Sequence, residues 1–222
     1  WARGNYGYRD IAEADVMKSL SDAQRTVKVD KDRIYLMGHS LGGGGTWALA
    51  LRYPDVWAAA AVSSGVTWFL PTGQGYGANA SALPMLIWHG EADGSAANVQ
   101  NAYDMQRELE AYGNKPEMRI IPGRGHDFLP PDHSSALKWL VGHQRRRPDK
   151  FSYKAAPGAP RGVWGVTMRL PRGGGLSNPS FTCEIEGNMV KISSEDVSRF
   201  SVKLGEGGLG LSGDVTVLVN GE

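Results

Sequence analysis

The chain has 222 residues, with 24 Lys and Arg against 23 Asp and Glu for a net charge of +1. That balance offers no basic field for nucleic acid or an anionic membrane surface, and no apolar run reaches the roughly 18–20 residues that span a bilayer. A single cysteine, Cys183, excludes an internal disulfide, and no Cys/His spacing marks a zinc site.

Residues 1–10 read as a loop. Ile11, Val16, Leu20, Ala23 and Val27 then recur at loosely helical spacing and predict a helix over 11–27. A short strand, 33–37, leads into Gly38-His39-Ser40-Leu41-Gly42, and a helix over 43–53 follows, stopped by Pro54. The Ala/Val/Trp run 56–62 reads as a buried parallel strand, with helix as the alternative its alanines allow. Residues 66–82 form a long loop carrying Trp68, Phe69 and Tyr76, either a substrate wall or a packed surface loop. Strand 84–89 precedes a helix over 96–112 with Val99, Tyr103, Met105 and Leu109 near one face, then strand 117–121, a turn at 122–127, and a last helix over 133–144 with Ala136, Leu137, Leu140 and Val141 inward. This alternation over 11–144 predicts a parallel sheet. Arg145-Arg146-Arg147 reads as a solvated helix end. From Pro148 the composition shifts: 148–159 reads as a linker, and 160–222, with β-rich runs at 180–185, 188–192, 199–204 and 215–219, as a small antiparallel β unit.

The stretch that carries chemistry is Gly38-His39-Ser40-Leu41-Gly42, which fits the G-x-S-x-G turn between a strand and a helix. Such a turn lifts a serine hydroxyl clear of its neighbours, crowds the flanking positions so that glycine is needed, and aims the Leu41 N–H at a developing oxyanion. A serine needs a base, and the base needs an acid to orient it. In parallel sheets such groups gather on loops after strand carboxyl ends. The loop after 84–89 offers Asp93 and, less deep in it, Glu91; the turn after 117–121 offers His126. The order Ser40, Asp93, His126 matches that of α/β-hydrolase triads. Of the other histidines, His39 sits in the turn and is expected to point elsewhere, His89 is expected to be a structural hydrogen-bonding group, and His133 and His143 are expected on the last helix. Asp127 and Asp132 read as turn or capping residues.

With these residues in place, Arg33 to Gly43 resembles the nucleophile elbow of α/β-hydrolases of the prolyl-oligopeptidase and esterase type, within them the polyhydroxybutyrate-depolymerase and feruloyl-esterase branch. Trp88-His89-Gly90-Glu91-Ala92-Asp93 resembles that family's acid loop and Gly125-His126-Asp127 its histidine loop. The resemblance covers about 1–147. It implies a catalytic domain there, a serine hydrolase with Ser40 as nucleophile, Asp93 as acid and His126 as base, no cofactor or metal, a small-molecule ester as substrate, and a secreted or periplasmic location. The family's sheet carries strands ahead of the elbow strand, and one of their loops supplies a second oxyanion donor. Only about 32 residues precede the elbow strand here, so the fold expected is α/β, a truncated α/β-hydrolase parallel sheet lacking the usual first strands and followed by the β unit. The bare edge this leaves is expected to be covered by a second copy of the chain, as a homo-oligomer, or by residues 160–222. Two rivals to a carboxylesterase stand beside it. One is a prolyl-oligopeptidase-type serine peptidase, since one triad cleaves esters and amides alike. The other is a catalytically weak binding module in which Trp164 and Phe181 form a contact surface instead of packing the β unit's core.

Overall fold

The computed structural model describes residues 8, 10–67, 75–127, 129–169 and 178–222. Its amino-terminal part alternates helix and strand: α1 (Ile11–Thr26), β1 (Tyr35–His39), α2 (Leu41–Arg52), β2 (Ala59–Ser63), a short 3₁₀ helix (Tyr76–Ala80), β3 (Met85–Gly90), α3 (Gln100–Glu110), β4 (Glu117–Ile121) and α4 (Pro130–Leu140). The four strands form one parallel sheet in the order β1-β2-β3-β4. No strand precedes β1 among the described residues. The elbow strand lies two residues later than expected, and the helix after it begins at Leu41 instead of 43.

Strand β2 explains why its alanine run is a strand. Ala60 and Val62 face the core built by α2 and α3, while Ala59 and Ala61 face Ala136 and Leu140 of α4. A strand covered on both faces has no polar side to alternate with. Helix α3 buries Ala102, Met105 and Leu109, an i, i+3, i+7 stripe, and leaves Tyr103 exposed. Helix α4 likewise buries Ala136 and Leu140 but exposes Leu137, and Val141 just past its end is exposed too; both were expected inward. Helix α1 packs Val16, Met17 and Leu20 on the core, and its buried Glu13 pairs with Arg52 at the end of α2. Tyr76, expected in a loop, is buried in that core within the 3₁₀ helix.

The stretch 148–159, expected as a linker, holds strand β5 (Lys150–Lys154), an integral member of the second unit. Its alternation of Phe151 and Tyr153 inward with Lys150, Ser152 and Lys154 outward is short and flanked by prolines, which hid it. The remaining strands are β6 (Gly162–Val163), β7 (Val166–Arg169), β8 (Ser180–Glu186), β9 (Met189–Glu195), β10 (Arg199–Val202) and β11 (Thr216–Val219). They form two sheets, β10-β7-β6 and β11-β9-β8-β5. Pairing is antiparallel except for β11, which runs parallel to β9. Between the sheets lies a separate core in which Phe181 packs edge-on to Phe151 and Phe200. Phe181 is thus a core residue, not a contact surface.

The two units meet at the amino ends of the parallel strands. Asp55, ahead of β2, accepts a hydrogen bond from the Trp164 N–H at 2.9 Å, and its carbonyl accepts one from Arg145 at 2.6 Å. The Arg145 guanidinium lies over the Trp164 ring. The Tyr153 hydroxyl donates to the carbonyl of Arg52 or Pro160, each 3.0 Å away. Asn79 donates to the carbonyls of Leu51 and Lys154 at 2.8 and 3.0 Å and accepts from the Lys154 N–H at 2.7 Å. Among the described residues no strand of the β unit pairs with the sheet edge, where cover by 160–222 was expected: β1 pairs with β2 alone. Asn79 is 7 % exposed, so its loss strands buried backbone groups on both units. Asn79→Ala is expected to cost about 3 kcal/mol and to lower Tm by about 6–12 °C in a thermal melt.

Candidate active site

Ser40 stands between β1 and α2 with φ 57° and ψ −119°, a strained conformation for a non-glycine residue. A Cβ on Gly38 would lie 2.1 Å from the Gly42 carbonyl oxygen, and one on Gly43 would lie 2.7 Å from the Gly65 Cα. These contacts let β1, α2 and the end of β2 close around the serine. Gly42 is less confined than expected: the nearest atom to a Cβ there is the Tyr8 hydroxyl at 3.7 Å, an ordinary contact. The crowding falls on the first glycine of the motif and on the one after its end. As the amino-terminal residue of α2, Leu41 has a backbone N–H with no acceptor inside the helix, at its positive end.

The Ser40 hydroxyl makes no capping bond to its own helix. Its Oγ lies 2.8 Å from His126 Nε2, and His126 Nδ1 lies 2.7 Å from Asp93 Oδ2. Residues 86 and 33 positions apart in sequence thus meet at the carboxyl end of the sheet. Strand β3 delivers Asp93 and β4 delivers His126. Gly90, the last residue of β3, lets their loops touch, since a Cβ there would lie 2.1 Å from the Gly125 carbonyl oxygen. Backbone bonds from Glu91 to Ile121 at 3.0 Å and from Ala92 to Arg124 at 2.8 Å fasten the acid loop to the histidine loop. Glu91 turns away, with its carboxylate accepting from the Gly123 N–H at 3.2 Å.

Asp93 is buried, its side chain fully shielded from solvent. Burial opposes its charge, yet hydrogen bonds from His126 and from Ser95 outweigh that and hold the carboxyl at about 2, below its ordinary 3.8. The Ser95 N–H reaches Oδ1 at 3.0 Å. A carboxyl whose folded pKa is depressed contributes stability that is complete above its unfolded pKa and is lost as pH falls through the folded one. Asp93 should therefore contribute roughly 2 kcal/mol above pH 4, lost between pH 4 and pH 2. Urea unfolding at pH 5 and pH 2.5 checks this: Asp93→Asn should lose that part of the pH dependence.

Three further groups were not legible as site residues. His39 does not point away: its ring lies 4.8 Å from the His126 ring, its Nδ1 is 3.0 Å from Ser63 Oγ, and it is hydrogen-bonded to the His126 backbone. Burial, then the neighbouring His126, lowers its pKa and keeps it neutral. His89 is 1 % exposed, with Nε2 between the Ala97 carbonyl and Asp93 Oδ2. Ser95 Oγ lies 3.1 Å from His126 Nδ1. Their only sequence signal is adjacency to the elbow and to the acid. Asp132 is a capping residue as expected, accepting from the Leu129 N–H at 2.9 Å and paired with Arg124. His133 is exposed on α4, while His143 lies just past that helix, with Nδ1 3.0 Å from the Trp139 carbonyl. Of the expected substrate wall, Trp68 and Phe69 lie outside the described residues. Tyr76 is 4 % exposed beneath Lys154, whose ammonium sits 5.6 Å from its ring, so it packs the core instead of walling the site. Among the described residues no three His, Cys, Asp or Glu side chains group to hold a metal ion, and no helix is long and apolar enough to cross a membrane.

A parallel sheet with a strained serine turn at its carboxyl end, followed by acid and histidine loops, defines an α/β-hydrolase. Residues 8–157 match the model of the Dienelactone hydrolase family, and the chain belongs to that family. No curated protein matches it significantly in sequence. Among solved structures, a thermostable esterase superposes with a TM-score of 0.54 at 23 % identity, over 61 % of this chain and 38 % of that one. Esterase PE8 superposes with a TM-score of 0.50 at 23 % identity, over 58 % and 59 %. A putative dipeptidyl aminopeptidase IV from Bacteroides ovatus superposes with a TM-score of 0.52 at 20 % identity, over 63 % and 24 %. At these identities the likeness is one of fold, and the shared part is less than two thirds of each of these proteins.

Proposed function

We propose that the chain hydrolyses carboxylic esters of small molecules through a Ser40–His126–Asp93 relay and an acyl-enzyme intermediate. The observation that carries this is the unbroken line of contacts, 2.8 Å from Ser40 to His126 and 2.7 Å from His126 to Asp93. Ser40 Oγ attacks the acyl carbon while its proton passes to His126 Nε2. The carbonyl oxygen becomes an oxyanion facing the Leu41 N–H and the positive end of α2. As the intermediate collapses, His126 returns the proton to the departing alkoxide. Water then repeats the cycle on the acyl-serine, with His126 as base. Asp93 keeps Nδ1 protonated, leaving Nε2 free to accept, and balances the imidazolium that forms.

Membership of a hydrolase family and esterase-like folds among the neighbours support this reading. The depolymerase and feruloyl-esterase branch rests on the motifs alone. The test is labelling with a fluorophosphonate, followed by p-nitrophenyl acetate, p-nitrophenyl butyrate and a peptide anilide. Covalent modification at Ser40 with turnover of the nitrophenyl esters is the expected result. Modification elsewhere, or none, would overturn the proposal, and turnover of the anilide alone would replace the esterase with a peptidase.

A further inference from the structure

The Asp93 carboxylate has more than one imidazole on it. His89, next to last in β3, points its Nε2 at two oxygens, the Ala97 carbonyl at 2.5 Å and Asp93 Oδ2 at 3.2 Å. Both are acceptors, so Nε2 must carry a proton. The side chain is 1 % exposed, and burial pushes its pKa down, so Nδ1 stays unprotonated and the ring neutral. We propose that His89 is a positioning residue for the hydrolytic relay: a buried neutral imidazole whose Nε2–H is shared between the Ala97 carbonyl and Asp93 Oδ2, holding the carboxylate against His126.

This inference rests on the relay proposed above and assigns to it a part that none of its three members supplies. A carboxylate turns readily about its Cβ–Cγ bond. Here Oδ1 is fixed by the Ser95 N–H at 3.0 Å, while Oδ2 is the oxygen that must stay on His126 Nδ1. A donor on Oδ2 from the side of β3 removes the rotation that would break the relay. Through Ala97 the same proton closes the loop of residues 90–97 that carries Asp93. The donor comes from a strand hydrogen-bonded to both neighbours, so it does not move with that loop. A neutral donor also leaves the single negative charge available to the imidazolium of His126; a charged one would cancel it.

The test is a double-mutant cycle read as the rate constant for fluorophosphonate labelling of Ser40, with kcat and KM for a nitrophenyl ester alongside. His89→Leu is expected to slow labelling about tenfold and to lower kcat with KM within about twofold. His89→Gln, whose amide N–H reaches a similar position, is expected to recover most of that loss. In an Asp93→Asn background, His89→Leu is expected to cost nothing further, because the partner it acts through is already altered. The same tenfold loss in that background, or a folded His89→Gln no better than His89→Leu, would overturn the inference alone. Should His89→Leu fail to fold, ¹⁵N NMR of the unmodified protein decides the matter: a neutral, Nε2-protonated His89 at the working pH supports the inference, and an Nδ1–H tautomer or an imidazolium overturns it. Absence of labelling in the wild-type protein would overturn the hydrolase reading and this inference with it.

Discussion

Ser40→Ala is expected to lower ester hydrolysis by about 10⁴-fold or more while leaving the fold intact. The two halves of that result have separate causes. Activity falls because the atom that attacks is gone, and the neighbouring imidazole cannot replace it without a covalent intermediate of its own. Stability holds because the serine hydroxyl caps nothing in α2, so no backbone amide loses a partner. Alanine also meets the same φ of 57° that serine already tolerates. The measurement is a nitrophenyl acetate assay paired with a thermal melt: a deep loss of rate with Tm shifted by no more than about 2 °C. A variant that kept its turnover would move the nucleophile elsewhere.

Asp93→Asn is expected to lower kcat by about 10³–10⁴-fold with little change in KM. The carboxylate is ringed by donors: the Ser95 N–H on one oxygen, His126 Nδ1 and His89 Nε2 on the other. An amide has one acceptor where three donors converge. With its oxygen toward the imidazoles, its NH₂ faces the Ser95 N–H, and the negative charge that balances imidazolium is missing. Turned over, the NH₂ faces His126, drives the proton to Nε2, and leaves no lone pair to receive the serine's proton. The first orientation weakens the base and the second disables it. Stopped-flow burst kinetics would separate slowed acylation from slowed deacylation, and both should suffer because His126 serves both.

The elbow was legible because its requirement is steric and local. Strand, crowded turn and helix leave a spacing of glycine and serine that survives without any knowledge of the fold. Asp93 and His126 were legible through position, each on the loop after a strand of the parallel sheet. What surrounds them was not. His39 and His89 look alike in sequence, one beside the nucleophile and one ending a strand, and nothing local says that one ring lies 4.8 Å from His126 and the other touches Asp93. Periodicity also set its own limits. Leu137 and Val141 kept helical spacing yet face solvent, because α4 covers the sheet with Ala136, Leu140 and part of Trp139. Strand β5 escaped notice because prolines on both sides mimic a linker. Tyr76 was expected at the site because its neighbours were aromatic, whereas burial in the 3₁₀ helix is set by contacts with residues some thirty or more positions away, such as the Gly77 N–H to Glu108.

Helix α2 has Ser40 at one end and the β unit at the other. Its first residue, Leu41, follows Ser40, and at its far end the Leu51 carbonyl takes a hydrogen bond from Asn79 while the Arg52 carbonyl lies 3.0 Å from the Tyr153 hydroxyl. Twelve residues make a rod about 18 Å long. Helix α2 is thus the direct link between the carboxyl-terminal sheets and Ser40, the proposed nucleophile. A shortened version of the protein, trimmed for use as a minimal catalyst, would keep that rod seated only if it retained β5, which carries Tyr153, and with it β8, on which β5 is paired.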